Sequence, residues 1–107
     1  MKKPVGEMLL ATTLAVPAAL LGTWTSSCGP GFPERLHFDA GRVVLSSPKP
    51  TTCRSASQRT QGPSRWYMDL ACEDGSIVQL DLYLVHESSL LVAQRPLGEA
   101  CSYQRAP

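Results

Sequence analysis

Four cysteines are the residues of this chain best suited to covalent chemistry. They stand at Cys28, Cys53, Cys72 and Cys101, so the gaps between them are 25, 19 and 29 positions. A structural zinc site favours close pairs of the C-x-x-C kind, which these gaps do not provide. An even number of cysteines in a short exported chain is instead typical of disulfides. The sequence therefore predicts two disulfide bonds.

The two histidines, His37 and His86, are the natural candidates for acid–base chemistry. His37 alternates with Leu36 and Phe38, which predicts a solvent-facing position on a strand, and His86 falls in a predicted turn. Catalysis by either would need a nucleophile or a carboxylate within reach. No serine stands in a Gly-x-Ser-x-Gly motif. We therefore predict no catalytic residues and a protein that is not an enzyme.

Two groups of charged residues could bind ions. Asp69, Glu73, Asp74 and Asp81 surround one predicted hairpin but lack the D-x-D-x-D-G spacing of a calcium loop, so a solvated hairpin face is favoured. The second group could bind an anionic ligand, or its arginines could pair with Asp69 and Asp81, which is the interpretation we favour. Its members are Arg54, Arg59, Arg65 and Tyr67. No metal site and no cofactor is predicted.

The first residues have the composition of a secretory signal peptide. Lys2 and Lys3 precede an apolar run of fourteen residues, 8–21, which is too short to span a bilayer core of about 30 Å as a helix. Val16-Pro17-Ala18 provides small residues for a cut after Ala18 or Ala19. We predict a signal peptide over residues 1–18 and a single domain over residues 19–107. Lipidation at Cys28 is the competing form of export, disfavoured because Thr25-Ser26-Ser27 precedes it.

Removal of that segment takes Lys2, Lys3 and Glu7 away and leaves eight basic and eight acidic residues. A neutral domain has no basic stripe for nucleic acid and no polybasic membrane patch. We therefore expect no nucleic-acid partner, no stable membrane insertion after cleavage, and a monomer. Any partner would be another exported protein, chosen by shape.

Period-two alternation of apolar residues predicts about eight strands in the mature chain. The clearest runs from Ser76 to Val85, and Asp74-Gly75 joins it to the strand before it in a predicted tight hairpin turn with positive φ. The predicted strands cover 20–26, 34–38, 42–46, 51–59, 65–73, 76–85, 89–94 and 100–105. Turns every eight to twelve residues are typical of an antiparallel sandwich or barrel, and consecutive hairpins favour an up-and-down barrel.

Such a barrel would be closed by pairing its first and last strands, and its interior would be filled by its own side chains. Trp24 and Trp66 are therefore predicted to lie in the core. Alternating strand directions place all four cysteines at one end of the barrel. Pairing between neighbouring strands would join 53–72 and 28–101, whereas short loops would join 28–53 and 72–101.

Leu21-Gly22-Thr23-Trp24 opens the first predicted strand. Gly-x-Trp at this place resembles the calycin group, which includes the lipocalins and the small bacterial inhibitors of secreted metalloproteases. The four cysteines, with a Trp before the third, are similar to those of other small exported bacterial proteins. The resemblance implies that Trp24 plugs one end of the barrel and that the disulfides are 28–53 and 72–101.

The same resemblance implies a periplasmic or secreted bacterial protein that binds another macromolecule without catalysis, as an inhibitor of a hydrolase. The alternatives are a lipocalin-type carrier of a small ligand and a structural envelope protein. The metalloprotease inhibitors insert a free N-terminal tail into the enzyme. A cut after Ala18 would leave only Ala19–Leu21 before Gly22.

Overall fold

The computed structural model describes residues 15–29, 31–47, 49–95 and 98–107. A short 3-10 helix, Ala18–Leu20, precedes eight β-strands, and each strand bound agrees with the sequence prediction to within two residues. The strands are β1 (Gly22–Thr25), β2 (Arg35–Phe38), β3 (Val43–Ser46), β4 (Pro50–Thr60), β5 (Arg65–Cys72), β6 (Ile77–His86), β7 (Ser89–Arg95) and β8 (Ala100–Arg105).

The eight strands form one closed, antiparallel, up-and-down barrel. Each strand pairs with its neighbours in the sequence, and β1 pairs with β8 to complete the circle. That last seam is short, with Trp24 opposite Arg105 and Thr25 opposite Gln104. The prediction of an all-β barrel of about eight strands with two disulfides is confirmed.

Alternate residues of the strands fill the interior. On β5, Trp66, Met68 and Leu70 are buried, whereas the residues between them face outward. Leu80 and Leu82 continue the same inner surface on β6. Burial of each such side chain stabilises the fold by roughly 1.5–3 kcal/mol, so the period-two pattern fixes which face of every strand points inward.

The hairpin between β5 and β6 differs from the predicted mirror-image turn. Gly75 has a φ of 90°, and its N–H donates to the Cys72 carbonyl at 2.9 Å. Asp74 keeps a negative φ and accepts bonds from the Ser76 N–H and hydroxyl. The result is a three-residue loop in which glycine alone takes the left-handed conformation, as in a turn followed by a bulge.

Trp24 lies at the end of the barrel where β1 begins. Its side chain is fully buried, and its Nε1–H donates to the Leu20 carbonyl at 3.0 Å. The Arg105 guanidinium lies 4.2 Å from the centre of the indole ring and donates to the carbonyls of Leu21 and Ala19. These side-chain bonds hold residues 19–21 outside the sheet, so β1 begins at Gly22 rather than at the predicted Leu20. We call this end of the barrel the closed end.

The disulfides join Cys28 to Cys101 and Cys53 to Cys72. This corrects the pairing that the resemblance implied, 28–53 with 72–101. Neighbouring strands explain the outcome: Cys53 on β4 lies directly opposite Cys72 on β5. Because β1 and β8 are also neighbours in the closed barrel, the segment after β1 brings Cys28 to Cys101, the second residue of β8. Since Cys28 is disulfide-bonded, its thiol is not available for a lipid.

Two disulfides are compatible with an exported protein. Within residues 15–29, 31–47, 49–95 and 98–107, no helix has the length and apolar character needed to cross a membrane. Most of the predicted signal peptide, residues 1–14, lies outside the described residues.

Candidate functional site

Three arginines surround one tyrosine on the outer surface of β4–β7. The guanidinium carbons of Arg59, Arg65 and Arg95 lie 5.1, 5.7 and 5.3 Å from the centre of the Tyr67 ring. All three distances are within the range of about 6 Å for cation–π attraction. We call the outward residues Arg59, Arg65, Tyr67, Tyr83 and Arg95 the tyrosine–arginine face.

The strand register builds this face. Arg59 on β4 is the direct partner of Tyr67 on β5, and Arg65 is the partner of Tyr83 on β6. Since Trp66 and Met68 point inward, Arg65 and Tyr67 must point outward. Arg95 reaches the ring from the last residue of β7. Four neighbouring strands therefore contribute side chains to one place.

The face carries more positive than negative charge. Nε of Arg95 lies 3.1 Å from Oδ1 of Asp81, so these two form an ion pair within the surface. That Oδ1 is buried, and no hydrogen bond of good geometry reaches it from the described residues. In the same part of the chain, Arg59 and Arg65 form no ion pair. Their charges are available to an acidic partner.

Apolar surface lies beside the arginines. Tyr83 is 46% exposed and pairs across the strands with Leu91, which is 38% exposed. A depression of about 220 Å³ lies between them, lined by Arg65, Asp81, Tyr83, Leu91 and Ala93. A second depression of about 430 Å³ includes Tyr67, Arg59 and Arg95. The surface thus combines the exposed ring of Tyr83, the half-buried ring of Tyr67, an aliphatic side chain and guanidinium groups.

Three of the four predicted binding residues come together here, and Arg54 does not. It is the partner of Ala71 near the disulfide between β4 and β5, and it lines a different depression with Glu73 and Cys53. We expected the arginines to pair with Asp69 and Asp81, but neither Arg59 nor Arg65 does so. Asp81 pairs instead with Arg95, a residue that the sequence predicted to lie in a turn.

A hydroxyl, an imidazole and a carboxylate meet on the outer side of β1 and β2. Thr23 Oγ1 lies 2.7 Å from His37 Nδ1, and His37 Nε2 lies 3.0 Å from Asp39 Oδ1. One tautomer, with the proton on Nε2, satisfies both bonds. Arg42 Nε donates to the other oxygen of Asp39 at 3.0 Å. Hydrogen bonds from Arg42 and His37 hold the pKa of Asp39 below its ordinary value.

The order of groups resembles a catalytic triad, and the strand pairing explains why they meet. Thr23 and His37 are direct cross-strand partners in the middle of the β1–β2 ladder. Arg42 lines a surface depression with Gly41 and residues of β4 and β5, whereas Thr23, His37 and Asp39 do not line it. Asp39 and Arg42 also close the hairpin through a backbone bond. The network therefore stabilises the pairing of β1 with β2. In the sequence, the feature that could have predicted it is Asp39, a carboxylate two residues after His37.

The acidic residues near the β5–β6 hairpin have separate partners. Asp74 binds Ser76, Glu73 accepts from the Thr52 N–H at 3.3 Å, and Asp81 pairs with Arg95. Hydrogen bonds from Ser76 lower the pKa of Asp74. Among the described residues, no three His, Cys, Asp or Glu side chains are grouped so that they could hold a metal ion.

The barrel interior is occupied by large side chains, among them Trp24, Phe38, Met68 and Tyr103. Trp66 is also in the core, at 8% exposure. A depression of about 270 Å³ lies near the disulfide end of the barrel and is lined by Phe32, Leu45, Lys49, Asp74 and Val78, among others. It is below the volume of ordinary ligand pockets, about 300–1,000 Å³. The candidate site is the outer tyrosine–arginine face, because side chains of four strands converge there around one ring.

Function has to be inferred from the chemistry of these surfaces. Comparison with protein-family models, curated proteins and solved structures finds no match to this chain.

Proposed function

We propose that this chain is an exported, non-enzymatic binding protein that uses the tyrosine–arginine face to bind and inhibit a secreted hydrolase. The observation that carries the proposal is the set of three guanidinium groups around Tyr67. Tyr and Arg are the residue types enriched at the energetic centres of protein interfaces. Here they lie together on the outer wall of the barrel, with the arginines exposed and Tyr67 half-buried.

The arrangement of the arginines around Tyr67 lowers the entropic cost of binding. An arginine on a free surface loses side-chain entropy when a partner immobilises it, about 0.5–1.5 kcal/mol for each ordered side chain. Attraction to the Tyr67 ring already restricts the guanidiniums of Arg59 and Arg65. Among the described residues neither forms an ion pair, so their N–H groups can donate to carboxylates of a partner. The partner surface should therefore present acidic residues opposite these two arginines.

The resemblance to calycin inhibitors supports the choice of a hydrolase as the partner. Trp24 lies in the position that the Gly-x-Trp motif leads one to expect, buried at the end of the barrel where β1 begins. Residues 16–20 are not a free tail, because Val16 and Leu20 are buried against the barrel. Inhibition by insertion of this segment into an enzyme is thus disfavoured, and we place the contact on the tyrosine–arginine face instead.

The proposal is tested by titrating the purified exported protein into a panel of secreted metalloproteases and lysozymes and measuring residual activity. We expect at least one enzyme to be inhibited at micromolar concentration or below. Replacement of both Arg59 and Arg65 by Glu should weaken that inhibition by tenfold or more, since it places like charges against the acidic partner. Arg35→Glu, an exposed reversal on β2, is the matched control and should leave inhibition unchanged.

Two outcomes would overturn the proposal. If no enzyme of the panel forms a complex at micromolar concentration, the inhibitor function is wrong. If Arg35→Glu weakens inhibition as much as the double reversal, binding depends on overall charge and the tyrosine–arginine face is not the site. Recovery of envelope proteins alone in a pull-down would favour the structural alternative.

A further inference from the structure

We propose that the leader of this protein is removed between Ala15 and Val16, so that the mature chain begins at Val16. The inference rests on the proposed export and concerns where processing occurs. The sequence also offers a cut after Ala18 or Ala19, each of which has an alanine directly before it. The contacts of residues 15–21 distinguish among these positions.

Val16 is part of the folded barrel. Its side chain is only 5% exposed, and its backbone N–H donates to the Ala40 carbonyl at 3.0 Å. Leu20, four residues later, is fully buried under Trp24 and accepts the indole hydrogen bond. Residues 16–20 therefore close the end of the barrel where β1 begins.

A cut after Ala18 would damage this closure in two ways. It would remove the Val16 side chain and also the Pro17 carbonyl, which accepts the Leu20 N–H at 2.9 Å. It would also leave an ammonium group on Ala19, whose carbonyl already accepts from Arg105 Nη2 at 3.0 Å. Two positive groups would then lie close together beside buried apolar side chains. A cut after Ala19 would remove that carbonyl as well.

A cut before Val16 preserves the closure. Hydrolysis of the Ala15–Val16 bond adds one water, which leaves a carboxylate on Ala15 and an ammonium on Val16. The new ammonium keeps an N–H for the Ala40 carbonyl. The bond from Gln58 Nε2 to the Ala15 carbonyl is lost, but Gln58 still accepts from the buried Ser55 hydroxyl at 2.9 Å.

The sequence before this bond suits a leader peptidase. Thr13 and Ala15 are the small residues at the third and first positions before the cut. Residues 8–14 are mainly apolar, with five apolar residues and two threonines, and their length is at the short end of the range for such leaders, about 7–15 residues. Ala15 itself is exposed, so its removal uncovers no core side chain.

The experiment is expression of the full chain in a bacterium, purification from the periplasm, and measurement of the intact mass and the first residues. We expect a chain that begins at Val16. A chain that begins at Ala19 or Leu20 would overturn this cut while leaving export intact. Uncleaved chain retained in the cytoplasm would overturn export itself, so the two failures are distinguishable.

A matched pair of variants gives a second readout. Ala15→Tyr places a large side chain directly before the proposed cut and should abolish the Val16 product, with precursor accumulating. Ala18→Tyr makes the same change at another exposed alanine and should leave the Val16 product at its wild-type level. The opposite pattern, with processing blocked only by Ala18→Tyr, would refute the proposal.

Discussion

Removal of the two disulfides should destabilise the barrel to different extents. The Cys28–Cys101 bond closes a loop of sequence separation 73, and the Cys53–Cys72 bond closes one of 19. Loop-closure entropy gives about 4 kcal/mol for the longer loop and about 3 kcal/mol for the shorter one. Against a total stability of roughly 5–15 kcal/mol for an ordinary domain, either loss is large.

The two double variants, with both cysteines of a pair replaced by Ala, form a matched comparison. Cys101 and Cys53 are each buried, at 1% and 3% exposure, whereas Cys28 is exposed and Cys72 packs partly against the core. The cavity cost is therefore slightly larger for the Cys53/Cys72 variant and offsets a small part of the loop-length difference. The free energy of unfolding is measured by urea titration, followed by the fluorescence of the two buried tryptophans. We expect the Cys28/Cys101 variant to be the less stable of the two by about 1 kcal/mol.

An equal loss in both variants, or the reverse order, would refute the idea that loop length sets the difference. The pairing itself is checked by mass mapping of non-reduced peptides. Trypsin alone is insufficient, because Arg95 precedes a proline and leaves Cys72 and Cys101 on one peptide. An additional cut after Glu87 separates them. Detection of a peptide that joins Cys28 to Cys53 would contradict the structure.

Two further predictions concern single side chains. Tyr103 is fully buried and donates to a backbone carbonyl at 2.6 Å, so Tyr103→Phe should lower the free energy of unfolding by about 1–2 kcal/mol at neutral pH. Burial raises the pKa of Tyr103, so the unfolded chain ionises first. The free energy of unfolding should therefore be retained below a pH of about 10 and fall as the pH rises above it. The fall should be smaller in Tyr103→Phe. If the two proteins lose stability equally at alkaline pH, ionisation of this tyrosine is not the cause. Arg105→Met keeps an apolar side chain but loses the contact with the Trp24 indole and three hydrogen bonds to backbone carbonyls. We expect the free energy of unfolding, measured in urea, to fall by about 2–3 kcal/mol. A change below about 0.5 kcal/mol would show that Arg105 does not hold this end of the barrel closed.

The strands could be predicted closely because one physical pattern determines them. Alternation of Val78, Leu80, Leu82 and Leu84 is visible in the sequence and translates directly into one buried face. The disulfide pairing was left open between two alternatives, because local alternation does not choose between them. The Cys53–Cys72 bond follows from the pairing of β4 with β5, whereas the Cys28–Cys101 bond depends on the β1–β8 contact that closes the barrel.

The candidate site was predicted only in part for a related reason. Arg65 and Tyr67 are two residues apart on one strand, so their common face follows from the sequence. The approach of Arg59 and Arg95 depends on the register of two further strand pairs, and Arg95 lies one residue beyond the predicted end of its strand. Arg54 was grouped with Arg59 by proximity in the sequence, but they lie five residues apart on the eleven-residue β4, about half of its length.

The short seam between β1 and β8 is the part of the barrel most affected when the Cys28–Cys101 disulfide is reduced. It has far less strand pairing than the others, and it is held at one side by the Cys28–Cys101 bond and at the other by Arg105. If the disulfide is reduced, the seam is the place where the closed wall can open into a curved sheet. Opening exposes the unpaired N–H and C=O groups of two edge strands, which are templates for pairing with other chains. In a reducing compartment this protein would then be prone to aggregate, and the disulfide serves to keep its surface free of such edges.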